Sequence, residues 1–217
     1  MTTERIYVAT LVDRIWHWIH VVGILILILS GLNIHFTREF NVLGSVEHAV
    51  KIHNVTGVLV SIDWAVFLLY NLFTRRIRYY LPNRDDLLSG ILRQARFYLF
   101  GIFRGEEPPF EVSVDRKFNP LQKWTYLGIM GLVVPFQIAS GLYMLHVLTT
   151  VTVQAGHERY LIFMLHTVAT FLSAVFVIIH VYLATTGEKP SSHFELMITG
   201  YHERRHAPPP EEDGKGA

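Results

Sequence analysis

The chain has 217 residues, of which 51% are hydrophobic and only 17% charged, and its mean hydropathy is +0.31. That balance exceeds what an ordinary water-soluble domain carries and points to a protein of the lipid bilayer. Cysteine is absent and the formal charge is only +1, which excludes disulfides, iron–sulfur clusters, thiolate-bound metals and covalently attached c-type haem.

The first apolar run follows Arg5 and Arg14 and lacks a small-residue cleavage site, so it is expected to be a retained span, not a cleaved signal. A helix needs roughly 20 residues to cross a hydrocarbon core. Four stretches meet that requirement, at residues 16–36, 52–73, 124–146 and 160–183, and none has Lys or Arg in its interior. Pro135 falls inside the third, where a kink is expected. Residues 85–104 form a fifth apolar stretch, but it contains Arg93, Gln94 and Arg96. Its Leu88, Ile91, Leu92, Ala95, Leu99 and Ile102 recur at helical spacing, which predicts an amphipathic helix on the membrane surface or against a partner. The expected fold class is all-α: a four-helix transmembrane bundle with an interfacial helix between spans two and three. Residues 1–206 make one domain, and the acidic, proline-rich residues 207–217 are expected to form a disordered tail.

Charge gives the orientation. Arg5, Arg14, ten Lys/Arg between Thr74 and Lys123 and four after Leu183 share one side, against Arg38, Lys51 and Arg159 on the other. The positive-inside bias predicts cytoplasmic N- and C-termini, with Trp16, Trp18 and Trp124 near the inner interface.

An imidazole within a membrane span is costly unless bonded or ligating, so each such residue is a functional candidate. The last span holds His166 and His180. Fourteen residues at about 100° each fall about 40° short of four turns, so both rings leave nearly one face, about 21 Å apart along the axis. His17 lies at the depth of His180, and His53 at the depth of His166. Two facing pairs result, His17 with His180 at the inner side and His53 with His166 at the outer side. Two bis-histidine haems b stacked across the bilayer would use both pairs, with no axial position left for oxygen, which favours electron transfer. Gly23, Gly31, Gly57 and Gly141 would admit a flat macrocycle, or simply let helices pack closely. His20, one turn from His17, is a competing ligand. His35, His48, His146 and His157 gather at the outer face, where bonding to haem propionates or solvent explains them. Asp63, about ten residues into the second span, is expected to take up protons or to bond a neighbouring Ser, Tyr or backbone group.

The segment Asp13-Arg14-Ile15-Trp16-His17-Trp18, closing in Leu29-Ser30-Gly31, resembles the start of the b-type cytochrome (gamma) subunit of membrane-bound formate dehydrogenase. Its wider family includes the cytochrome b subunits of nickel–iron hydrogenases and of thiosulfate reductase. His53 with Gly57, Lys117-Phe118-Asn119 with Gln122-Lys123, and Arg159-Tyr160 ahead of His166 and His180 continue the match in order, over about residues 5–206. The resemblance implies a four-helix subunit that anchors a catalytic complex and carries two haems b, His53 and His166 on the outer and His17 and His180 on the inner. It also implies a menaquinone pocket beside the inner haem, near Asn119 and Gln122, whose amides can donate to a quinone carbonyl. Asn119 can equally be an N-cap before Pro120. The implied partner is a periplasmic-side redox subunit, an iron–sulfur or multihaem protein of a respiratory complex. Glu106-Glu107-Pro108-Pro109 in the inner loop, the acidic tail and Asp63 depart from the family pattern and bear on which partner is served. A quinone-independent transmembrane reductase and a haem-free anchor subunit are the competing functions.

Overall fold

The structure is a computed structural model that describes residues 2–206 apart from 111, 114, 115, 151–156 and 188. The expected tail at residues 207–217 lies outside the described residues. The chain begins with a strand, β1 (Thr2–Tyr7), and enters α1 (Leu11–His35) through a capping box. In that box the Thr10 hydroxyl accepts from the Asp13 N–H, and the Asp13 carboxylate accepts from the Thr10 N–H. Ser45 caps α2 (Val46–Phe73) by accepting from the His48 N–H. The third span is α4 (Pro120–Gly128), a π-helical turn at Ile129–Val133 and α5 (Val134–Thr150), and the fourth is α6 (His157–Ala184). All four spans are long and apolar enough to cross a membrane. Large apolar side chains cover the outside of the bundle; Leu59, Val66, Leu132 and Ile178 are 60–70% exposed. A water-soluble protein would bury such a surface, and lipid covers it here.

Where the kink is expected in the third span, the helix shows a widened turn. Pro135 has no N–H, and its ring crowds the carbonyl four residues earlier. The helix adopts the π geometry over Ile129–Val133, the turn just before the proline. The loop between the second and third spans carries α3 (Leu88–Arg96), which continues through a π turn at Phe97–Gly101 and a 3₁₀ turn at Ile102–Arg104. The expected helical periodicity is therefore present but broken into three geometries. Gln94 and Phe97 are buried, while Leu88, Leu92, Leu99 and Phe103 form an exposed apolar stripe.

One element departs from an all-helical fold. After α7 (Ser192–Thr199), the chain turns at Gly200, with φ +89°, into β2 (Tyr201–His206), which pairs antiparallel with β1. Arg5 lies opposite Glu203 with N···O 3.4 Å, and Tyr7 opposite Tyr201 with ring centres 5.2 Å apart. These cross-strand pairs stabilise a ribbon whose strands are too polar to announce themselves by apolar alternation. The ribbon holds the two ends of the described chain on one side of the bundle.

The first two spans pack closely because Gly23 lacks a side chain: a Cβ there would collide with Val60 Cγ2. Gly23→Ala is expected to cost about 1–3 kcal/mol through overpacking. Thermal unfolding in detergent reads the loss, and Val60→Ala in the same chain restores most of it.

Candidate functional site

The four histidines at complementary depths meet in two pairs. The His53 and His166 rings, from α2 and α6, have centres 6.4 Å apart, and those of His17 and His180, from α1 and α6, have centres 6.3 Å apart. An imidazole nitrogen lies about 2.0 Å from a first-row ion such as zinc, and in a five-membered ring with bonds of about 1.33 Å it lies about 1.1 Å from the ring centre. Two imidazoles sharing one metal ion therefore hold their ring centres about 6.2 Å apart. Both spacings fit that requirement; rings joined by a direct hydrogen bond would lie closer, while edge-on ring contacts span the same range. Each pair can offer one imidazole nitrogen from each ring to a shared metal ion. Among the described residues no group of three or more His, Asp or Glu converges to form a bare-ion site.

A cavity, partly open to the exterior, lies against the outer pair between α1, α2, α5 and α6. His53, His166, Gly57, Gly141, Leu27 and Ile138 are among its lining residues. The glycines divide by role: Gly57 and Gly141 line this space, whereas Gly23 serves helix packing.

The outer rings are oriented by serines that the sequence analysis did not single out as site residues. Ser30 Oγ on α1 lies 2.9 Å from His53 Nδ1, and Ser140 Oγ on α5 lies 2.8 Å from His166 Nδ1. The residue after each serine is glycine, and a Cβ at Gly31 or Gly141 would stand 3.5 Å or 3.4 Å from Cε1 of the same ring. These are ordinary contact distances, so each ring edge lies directly against the backbone of the facing helix. The signal was present in the sequence as a repeated tripeptide, Ser30-Gly31-Leu32 in the first span and Ser140-Gly141-Leu142 in the third.

The inner pair is surrounded differently. His17 meets Trp18 edge-on at 5.2 Å, and Phe176 stacks on His180 at 5.6 Å. His17 Nδ1 is buried and has no hydrogen-bond partner among the described residues. His20, the competing ligand, turns instead to Asp63: its Nδ1 lies 3.0 Å from Asp63 Oδ2, and its ring stacks on Trp16. Asp63 therefore finds a histidine where a Ser, Tyr or backbone partner was expected. At the outer face His35 packs against Phe36 and Phe171. The side chain of His157 lies outside the described residues.

Asn119 and Gln122 form a reciprocal cap at the start of α4. Asn119 Oδ1 accepts from the Gln122 N–H at 2.9 Å, and Gln122 Oε1 accepts from the Asn119 N–H at 3.0 Å. Asn119 Nδ2 donates to the Tyr98 hydroxyl at 3.0 Å. The N-cap alternative thus holds in geometry, and the Gln122 amide NH₂ is the donor group that the cap leaves over. Close by, the fully buried Asp86 receives Lys123 Nζ and Arg116 Nη2 at 2.7 Å each, while Trp124 Nε1 donates to its backbone carbonyl. This cluster clamps the inner loop to the third span.

The sequence model of the family described as prokaryotic cytochrome b561 matches residues 8–200. Cytochrome YdhU of Escherichia coli (strain K12) is 36% identical over 199 residues, covering 92% of this chain and 75% of that protein. The F420 non-reducing hydrogenase II cytochrome subunit of Methanosarcina mazei is 29% identical over 142 residues, covering 57% of this chain and 48% of that subunit.

Proposed function

The chain belongs to the prokaryotic cytochrome b561 family, and from that premise we propose that it is the membrane-anchor dihaem cytochrome b subunit of a respiratory complex. It carries electrons across the bilayer between a periplasmic-side redox partner, an iron–sulfur or multihaem protein, and quinone on the cytoplasmic side. The observation that carries this reading is the spacing of the two histidine pairs, 6.4 Å and 6.3 Å between ring centres. His53 and His166 hold the outer haem, and His17 and His180 the inner one. A haem held by each pair would supply a one-electron carrier.

The protein's own residues do the rest. Gly57 and Gly141 leave room for the macrocycle, and the apolar walls of the outer cavity keep water from it. Menaquinone, the quinone that the family resemblance favours, docks by the inner pair, where the Gln122 amide donates to a quinone carbonyl. The Asn119 cap holds that amide in place at the mouth of the third span. The exposed stripe of Leu88, Leu92, Leu99 and Phe103 lies in the membrane interface, with both chain ends in the cytoplasm. The names of the two relatives, a cytochrome and a hydrogenase cytochrome subunit, support a redox partner.

The test uses the full chain purified in detergent. Two non-covalent b haems per chain are expected in the reduced-minus-oxidised spectrum, and menaquinol analogues are expected to reduce them. Gln122→Ala is expected to slow that reduction at least tenfold while leaving haem content unchanged. A preparation that folds without haem would leave a haem-free anchor. Haems that quinol never reduces would leave a quinone-independent reductase.

A further inference from the structure

The two histidine pairs have the same ring spacing but different hydrogen bonding, and the difference has chemical consequences. Ser30 Oγ donates its one proton to the Ile26 carbonyl at 2.7 Å, and Ser140 Oγ donates to the Phe136 carbonyl at 2.7 Å. This back-bonding to the carbonyl four residues earlier is the usual habit of a serine inside a helix. A hydroxyl whose proton is already committed can only accept from a neighbouring nitrogen. His53 and His166 must therefore carry their protons on Nδ1, which leaves the Nε2 lone pair of each ring free to ligate. No equivalent acceptor serves the inner pair: His17 Nδ1 is buried without a partner among the described residues.

We infer that Ser30 and Ser140 are positioning residues that fix the ligating tautomer of the outer histidines and set the outer haem at a lower reduction potential than the inner one. This inference rests on the haem-holding reading above. An acceptor on the far N–H of a ligating imidazole raises the basicity of the ligating nitrogen. A more basic ligand favours the more highly charged, oxidised metal, and second-shell hydrogen bonding is an established lever on haem potential. Donation from each serine to its own helix carbonyl also polarises the hydroxyl, which makes its oxygen a better acceptor. The device is built twice, once on each ring of the outer pair, and nowhere on the inner pair among the described residues. The resulting order of potentials runs downhill for electrons moving inward, and so suits quinone reduction.

Spectroelectrochemical titration of the haem-loaded full chain tests this without any activity assay. Wild type is expected to show two midpoints, the lower of which disappears in His166→Ala. Ser30→Ala and Ser140→Ala are each expected to raise the lower midpoint and leave the higher one in place, with a larger rise in the double variant. Ser140→Thr, which keeps the hydroxyl, is expected to hold the lower midpoint near its wild-type position. The inference is overturned if the serine variants retain both haems and the lower midpoint does not move, or if the higher one moves instead. If His166→Ala leaves haem content untouched, it is the ligand assignment that fails.

Discussion

Replacing His166 by Ala is expected to remove one of two b haems, halving the haem-to-protein ratio of the purified chain. Replacing His180 by Ala is expected to remove the other. Both residues sit on α6, so disruption of the helix itself would eliminate both haems together. Each single variant is therefore expected to retain the complementary haem, and the two difference spectra should sum to that of the wild type. His20→Ala provides the control. Its ring is committed to Asp63 at 3.0 Å, so the substitution is expected to leave both haems in place. If His20→Ala lost a haem and His17→Ala did not, the inner ligand would have to be reassigned.

A large effect on stability is expected from Asp86→Ala. The Asp86 side chain is wholly buried, and Lys123, itself 5% exposed, is bonded to it at 2.7 Å. Removing one partner of a buried ion pair leaves an uncompensated charge in a poor solvent, which typically costs about 3–5 kcal/mol. Asp86→Ala combined with Lys123→Met is expected to recover most of that loss in thermal unfolding, because the second change removes the stranded charge. The pH dependence follows from the same cluster. Burial alone would raise the Asp86 pKa, but the Lys123 hydrogen bond, the Asn83 N–H and the Lys123 and Arg116 charges outweigh it and hold the carboxyl below its ordinary value. A lowered folded-state pKa means that the stabilisation is complete above the unfolded value of about 3.9 and disappears as pH falls through the folded one. Stability at neutral pH is therefore expected to be insensitive to this group. Acid should loosen the inner loop from α4 first, and hydrogen exchange at residues 84–96 reads that loosening.

The four spans were legible in the sequence because the bilayer imposes length and apolarity on any helix that crosses it, and those constraints are visible residue by residue. The histidine pairs were legible for a related reason: depth along a helix is arithmetic, and the interval from His166 to His180 sets two depths on one face. Other features depend on contacts between distant residues that no local pattern records. The β1–β2 ribbon joins two charged, polar segments, and only cross-strand partners such as Arg5 and Glu203 make strands of them. Asp63 found His20 because α1 and α2 are antiparallel and in close contact at Gly23, and neither helix alone implies that meeting. The serines escaped notice because a hydroxyl in a helix ordinarily bonds its own backbone. Only the repetition of Ser-Gly-Leu in the first and third spans separates Ser30 and Ser140 from the other helical serines. The Asn119 cap could be seen only in coordinates, because it is made by the reciprocal bonds between the Asn119 and Gln122 side chains and each other's backbone N–H.

The ribbon between the two ends of the chain also bears on the order of assembly. His17 and His180 are 163 positions apart, and β1 and β2 are farther apart still. At a translation rate of about 5–20 residues per second, α1 waits on the order of 10–30 s for its counterpart to leave the ribosome. During that interval β1 presents an unpaired strand edge, and His17 faces no second imidazole. Closure of the ribbon and completion of the inner pair are thus late events that bring the first and last segments together, and truncation anywhere before the final span would leave both undone.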